Sequence, residues 1–334
     1  MLRPWYFGGR CEAIKTGILP GPWQVFDINS AYASAMKEPH VAGAPLTLGR
    51  LVADSELPFS FVLLYGKSDR ALPHREEDGS LSFPNRRGRW LASGHEIVAG
   101  LETGRLRIER VIRSLWFPQR LTFDRFIDFY WKRRAEQKAA GDLLGQLISK
   151  RTMNAVYGKL GQDPRRRYRH AIGRDGCPVP RGFRAVGTLG PWILYARENP
   201  SPWGFLHVGT AASITGHVRA KLLRALAGAV EPVYCDTDSI ICRSLPEALH
   251  GAKLGEWKLE ATLPRSIAIA GKKLYAGRDS ERHWKMASKG VRLSPEQIFS
   301  LARGETAVWE SDAPSFSVTG PARFVKRTVT GAKT

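Results

Sequence analysis

The sequence predicts an α+β fold in which a β-hairpin lies in the middle of a sheet and the helices gather in separate runs. Three observations predict it. The stretch Val233-Tyr234-Cys235-Asp236-Thr237-Asp238-Ser239-Ile240-Ile241 reads as strand, tight turn, strand, with β-prone residues on both sides of two acids. Residues 123–160 carry apolar positions at helical spacing in two runs broken at Gly141. The 334 residues leave room for two or three sub-domains around more than one core.

The hairpin organises the rest. Asp and Ser are common turn formers, so one reading is an exposed tip with solvated acids. Val233, Ile240 and Ile241 point instead to a buried setting. There, Asp236 and Asp238 repel unless cations neutralise them, and divalent metal takes carboxylate oxygens readily.

Composition narrows the partner. Hydrophobic residues make up 43% and charged residues 25%, an ordinary globular balance. Lys and Arg number 51 against 31 Asp and Glu, a formal charge of +20, which favours a polyanion such as nucleic acid over a merely basic surface. The four cysteines form no CxxC pair, so free thiols in a reducing cytoplasm are expected. No signal-peptide core or membrane-length apolar run is present, and no membrane partner is expected.

In chain order, Tyr6-Phe7-Gly8-Gly9-Arg10 reads as a turn. Residues 23–28 read as a strand that ends near Asp27 and passes into a helix starting at Asn29 or Ser30. Such a junction lets a carboxylate hold metal while the first helical amides face a phosphate, although Asp27 or Asn29 could equally be a plain N-cap. Residues 61–65 read as a strand, 84–89 as a basic loop, and 94–101 as a helix. Arg105, Arg107, Arg110 and Arg113 surround a further β-prone stretch. Together these read as an inserted sub-domain with a basic face, any one of these arginines taken alone reading first as a solvated charge.

The first helical run carries Phe123, Phe126, Ile127 and Tyr130, then turns basic at Lys132-Arg133-Arg134 and Lys138. The second, 142–159, has Leu143, Leu144, Leu147 and Ile148 as its expected buried stripe. Lys150, Asn154, Tyr157 and Gly158 share another face, at i, i+4, i+7 and i+8. That face suits a nucleotide: Lys for phosphate, Asn and Tyr for base or sugar, Gly for close approach. An exposed face with a packed Tyr is the alternative.

Read together, these segments resemble the motifs of family B DNA polymerases. Asp27-Ile28-Asn29-Ser30-Ala31-Tyr32 resembles motif A, Lys150 through Gly158 motif B, Tyr234-Cys235-Asp236-Thr237-Asp238-Ser239 motif C, and Lys272-Lys273-Leu274-Tyr275 the later K-x-Y element. Tyr6-x-Gly8-Gly9 is similar to the Y-x-G-G element of the protein-primed bacteriophage subgroup. The long gaps between motifs A and B, and between B and C, have room for that subgroup's two insertions. Ala155 and Ala33 depart from the usual Ser and Pro.

The resemblance implies a right-hand polymerase with an antiparallel-sheet palm (1–40 and 205–284), two-helix fingers (119–162) and a small β-rich thumb (285–334). The insertions would be 41–118, of the priming-protein-binding type, and 163–204. It implies a DNA-templated DNA polymerase using two Mg²⁺ ions, with Mn²⁺ able to substitute. Asp27, Asp236 and Asp238 would be catalytic, and Asp27, Asp238 and the Ile28 carbonyl would hold metal. Ser30, Ala31, Tyr32, Lys150, Asn154 and Tyr157 would bind dNTP, Tyr32 as the gate against ribose. Lys138 would be the second triphosphate cation, with Arg134 the alternative. Tyr6, Gly8, Gly9, Gly158, Lys273 and Tyr275 would bind DNA or primer. Residues 165–169, Lys326 and Arg327 would touch its backbone.

Too few residues precede Asp27 for the family's proofreading exonuclease, so an exonuclease-free enzyme, or half of a split or truncated one, is expected. The implied partners are primer–template DNA, dNTPs, a terminal priming protein and a separately encoded exonuclease, in host cytoplasm if phage-encoded. Two other readings compete. One is a non-catalytic DNA- or terminal-protein-binding remnant, against which the three intact aspartates argue. The other is a reverse-transcriptase-type palm, which lacks this motif B helix and has an adjacent Asp pair.

Overall fold

In the computed structural model, residues 2–163, 168–179, 181–198, 206–317 and 320–330 are described. They divide into two compact units: Met1–Gly161 with His207–Ala307 and Val329–Thr334, and Gln162–Leu206 with Val308–Thr328. The α+β expectation holds.

The first unit is built on a five-stranded antiparallel sheet. Its order is Cys11–Ala13, Tyr234–Asp236, Ser239–Cys242, Trp23–Ile28, Trp257–Leu263. Alternation along the strands sends side chains to opposite faces. Phe26, Ile28, Cys235 and Ile240 pack with helices α1 (Ala31–Lys37), α3 (Asp124–Ala139), α4 (Leu143–Leu160) and α5 (Val208–Gly228). Val25, Tyr234 and Ile241 enter a second core with Ile267, Ile269 and Tyr275. Ile267, Ile269 and Tyr275 come from a four-stranded sheet ordered Gly17–Leu19, Ile267–Gly271, Leu274–Arg278, Trp284–Ser288. The hairpin is therefore central and buried: Val233 and Ile240 are fully enclosed.

A third sheet orders Leu46–Leu48, Leu106–Trp116, Ser60–Asp69, Asn85–Ser93. Helix α2 (Gly94–Glu102) follows its last strand through a capping box between Ser93 and Glu96. Residues 84–89, expected as a loop, are largely strand. Asn85 through Ser93 pair in unbroken register with Asp69 through Phe61. The arginines fit because alternate positions face solvent, a pattern that a charge-based reading takes for a loop.

Gly141 (φ 71°) turns α3 into α4, and Asp142 caps α4 by accepting from Gly145 N at 2.8 Å. The predicted apolar stripe of α4 is a correction. Leu143, Leu144, Leu147 and Ile148 are exposed, Leu143 by 78%. The buried face of this helix is Ser149, Met153 and Leu160, with the Ser149 hydroxyl donating to Gln137 Oε1 of α3 at 2.7 Å. The α4 residues that join the sheet core are Met153, Val156, Tyr157 and Leu160, all in its C-terminal half.

The second unit contains the three-stranded sheet Tyr168–Arg174, Trp192–Glu198, Arg184–Leu189 and most of the hairpin Thr306–Ser317 with Gly320–Thr330. Residues 165–167 and 199–205 lie outside the described residues, as do the side chains of Tyr168, Arg169, Lys326 and Arg327. All four cysteines are free thiols. Among the described residues no helix is long and apolar enough to cross a membrane.

Candidate active site

One cross-strand row carries the site. Cys11 lies opposite Asp236, Asp236 opposite Ser239, Ser239 opposite Asp27, and Asp27 opposite Lys258. Directly opposed residues share a face of the sheet. The turn then adds Asp238: Thr237 takes a left-handed φ of 59°, and Asp238 N donates to Asp236 O at 2.6 Å. Ile28 N donates to Asp238 O at 2.7 Å, tying the backbone beside Asp27 to the turn.

Asp27 and Asp238 line a polar cavity of about 210 Å³ with Ile28, Tyr32, Lys150, Asn154, Lys258 and Glu260; Ser30, Ala31 and Arg134 complete the part nearest α1. Burial, the neighbouring Asp238 and Glu260 raise the Asp27 carboxyl to about 7, against the pull of Lys285 and Lys150. Burial and Asp236 raise Asp238 to about 6. Burial is the larger cause in both, with the neighbouring acids adding to it. Paired hard oxygen donors of this kind fit a divalent cation. Among the described residues no group of three or more His, Cys, Asp or Glu side chains could hold a metal ion alone. Ile28 lines the same cavity beside the two acids.

Asp236 is engaged differently. Lys273 Nζ reaches both of its oxygens, at 2.6 and 2.5 Å. Lys273 itself has φ 58°, and its N–H donates to the Tyr234 hydroxyl at 2.9 Å. Tyr275 is buried against Tyr234, with ring centroids 4.9 Å apart, and burial lifts its hydroxyl to about 12.

The Y-x-G-G turn supports the hairpin from beneath. A side chain at Gly9 would meet Thr237 Oγ1 at 2.5 Å, and Thr237 N donates to Arg10 O at 2.5 Å. The carbonyls of Phe7 and Gly8 each accept from Arg219 Nη1 at 2.8 Å, while Arg219 Nε holds Glu96 at 2.7 Å in a fully buried ion pair. Tyr6 packs where a side chain at Gly161 would otherwise stand.

On the helical side, the Tyr32 and Tyr157 rings stack with centroids 4.0 Å apart at 13°. Lys150 and Asn154 line the cavity as their shared face predicts. Gly158 has open space where a side chain would project. Of the two candidate cations on α3, Arg134 lines the cavity and donates to the Ser30 hydroxyl at 3.4 Å. Lys138, one turn on, lines the neighbouring cleft with Asn29, Trp131 and Lys258.

Sequence reasoning missed Lys258 and Glu260. Neither stands in a recognisable motif, but the alternation Trp257-Lys258-Leu259-Glu260 already places both on one face of a strand. Only the register to Asp27 shows that this face is the site.

Residues 1–177 match the family described as DNA polymerase type B, organellar and viral. A DNA-directed DNA polymerase of Enterobacteria phage PRD1 is 36% identical over 99% of the chain, which spans 65% of that relative's length. Phi29 DNA polymerase in complex with primer-template DNA and incoming nucleotides matches with a TM-score of 0.69 at 19% identity, over 99% of this chain and 62% of that one. An orthorhombic crystal form of Phi29 DNA polymerase gives 0.70 at 18% identity, over 98% and 61%. The fold is thus the polymerase right hand, and the chain belongs to the type B, organellar and viral DNA polymerases.

Proposed function

We propose that the chain is a DNA-templated DNA polymerase that adds dNTPs to a primer 3′-hydroxyl, with a protein primer or none. The observation that carries this reading is the convergence of Asp27 and Asp238, bound through Ile28 N and Asp238 O, in a cavity also lined by Lys150, Arg134 and Asn154.

The primer 3′ oxygen attacks the α-phosphorus in line, the bond to the β-phosphate oxygen breaks, and pyrophosphate leaves. When bound, Mg²⁺, for which Mn²⁺ can substitute, would supply activation of the attacking oxygen and neutralisation of charge on the leaving group. Asp27, Asp238 and the Ile28 carbonyl would hold it. Asp236, occupied by Lys273, keeps the hairpin's charge in place rather than serving as a ligand. Lys150 and Arg134 take the triphosphate with the backbone at 30–32, and the position of Arg134 in the cavity favours it over Lys138. Lys258 is a third cation within reach. Tyr32 occupies the space of a ribose 2′-hydroxyl, Asn154 and Tyr157 line the new base pair, and Gly158 leaves room for it. Lys273 and Tyr275 steady the primer end, and Tyr6, Gly8 and Gly9 act on DNA through the turn they form.

Residues 41–118 fit a priming-protein-binding insertion, 163–204 the second insertion, and 285–334 the thumb. A terminal priming protein and a separately encoded exonuclease are the partners that accompany this reading. The deciding experiment is extension of a primed template with dNTPs and Mg²⁺ by wild type and Asp238→Ala. Extension by wild type that is lost in the variant supports the reading. A wild type that binds the template but extends it with neither Mg²⁺ nor Mn²⁺ leaves the DNA-binding remnant in its place.

A further inference from the structure

The third sheet has two unlike faces. Val62, Leu64, Trp90 and Ala92 are buried in a core with α2. The other face is laid out by register in three rows: Arg107–Lys67–Arg87, Arg110–Tyr65–Arg89, and Arg113–Leu63–Leu91. Lys67, Arg87, Arg89, Arg107 and Arg110 on it are exposed. No acid stands in these rows; Glu109, at the bulge beside Arg110, pairs with Arg87 at 2.6 Å.

The third row opens into a cleft of about 670 Å³. Trp5, Phe7, Leu63, Leu91, Arg89 and Arg113 line it, and no acidic residue does among those described. The Arg113 guanidinium lies over the Trp5 ring at 5.7 Å and that of Arg75 over Phe7 at 5.3 Å. Trp5 is 2% exposed, yet its Nε1 has no hydrogen-bond partner, and neither has the buried Nε of Arg113. Unsatisfied buried donors are rare in folded proteins.

We propose that this face and its cleft bind single-stranded DNA, apart from the polymerase site. Phosphates lie along Lys67, Arg89, Arg107 and Arg110, a base stacks on Tyr65, and one unpaired nucleotide enters the cleft beside Trp5 and Arg113. A row of cations interleaved with an aromatic ring, ending in an aromatic cleft, is the chemistry that holds unpaired nucleotides. The cleft volume falls in the range of small-ligand sites. The proposal rests on the polymerase reading only for the presence of DNA.

The test is fluorescence anisotropy of a labelled short oligothymidylate, without dNTPs or divalent ions, against a hairpin duplex of equal charge. The exposed triple variant Lys67→Ala/Arg89→Ala/Arg107→Ala should weaken single-strand binding at least about tenfold. Its log–log salt slope should be shallower by about 2, near 0.7 for each phosphate no longer neutralised. Tyr65→Ala should weaken binding about tenfold and Tyr65→Phe hardly at all, because stacking needs the ring alone. Single-nucleotide insertion on a nearly fully duplexed template reads the polymerase site separately and should keep its kcat. Unchanged single-strand affinity, or an equal loss for duplex, overturns the proposal. So does loss of polyglutamate binding with single-strand affinity intact, which would make the face a protein-docking surface.

Discussion

Tyr32 of α1 and Tyr157 of α4 stack almost parallel, with ring centroids 4.0 Å apart. The residue proposed as the gate against ribose thus stacks on a residue of the other helical segment. Tyr157→Ala removes about 1 kcal/mol of ring stacking. It should lower dNTP kcat/KM roughly fivefold while also eroding discrimination against rNTPs. Tyr32→Ala should erode that discrimination far more. Steady-state insertion of matched dNTP and rNTP checks both. Full discrimination in Tyr32→Ala would remove the gate assignment.

Gly9 and Thr237 are a second pair in direct contact. A methyl group at position 9 collides with Thr237 Oγ1, so Gly9→Ala should cost activity by displacing the turn that carries Asp238. Thr237→Gly clears the space and suits the left-handed φ of 59° at that position. The double variant should therefore be more active than Gly9→Ala alone. Purely additive losses in primer extension would separate the two positions.

The Arg219–Glu96 pair is enclosed on every side, and Arg219 also holds the carbonyls before Gly9. Removing one partner of such a pair leaves a buried charge and costs about 3–5 kcal/mol. Glu96→Gln should lower the denaturant midpoint accordingly, and Glu96→Gln with Arg219→Met should recover part of the loss. A midpoint within error of wild type for Glu96→Gln counts against a structural role.

His40 is buried and clusters with the half-buried His95 and His217, with ring centroids 5.0 to 6.0 Å apart. Burial lowers His40 to about 4, His217 to about 3, and His95 well below its ordinary value of 6.5. Above pH 6.5 all three are neutral whether folded or unfolded, and their contribution is intact. Below it the unfolded chain takes up protons that the fold refuses. Stability should therefore fall as pH drops from 6.5 towards 4, by about 1.4 kcal/mol per pH unit for each histidine. Denaturation at pH 7 and pH 5 reads the slope, and His217→Gln should flatten it.

Much of this arrangement is written locally. The Asp236–Asp238 hairpin, the strand ending beside Asp27 and the Lys150–Asn154 face each sit within a few residues, where alternation and helical spacing are visible. Lys258 escapes such reading because its meaning lies in the strand opposite. Arg134 and Lys138 differ by one helical turn, and only the distance from α3 to Ser30 separates them. Leu143 and its neighbours show the limit of periodicity. An apolar stripe gives the face a helix would bury but not whether any surface meets it.

The row from Cys11 to Lys258 also makes this site a matter of phase. Successive residues of a strand point to opposite faces, so one residue added between Trp23 and Asp27 would turn the carboxylate into the helix-side core. A single-residue insertion scan should thus find the sheet intolerant over 23–27. The turn around Gly79, in open space, should accept the same insertion. A length-neutral change at Asp27 alters the chemistry of one group, whereas a length change nearby removes that group from the site altogether.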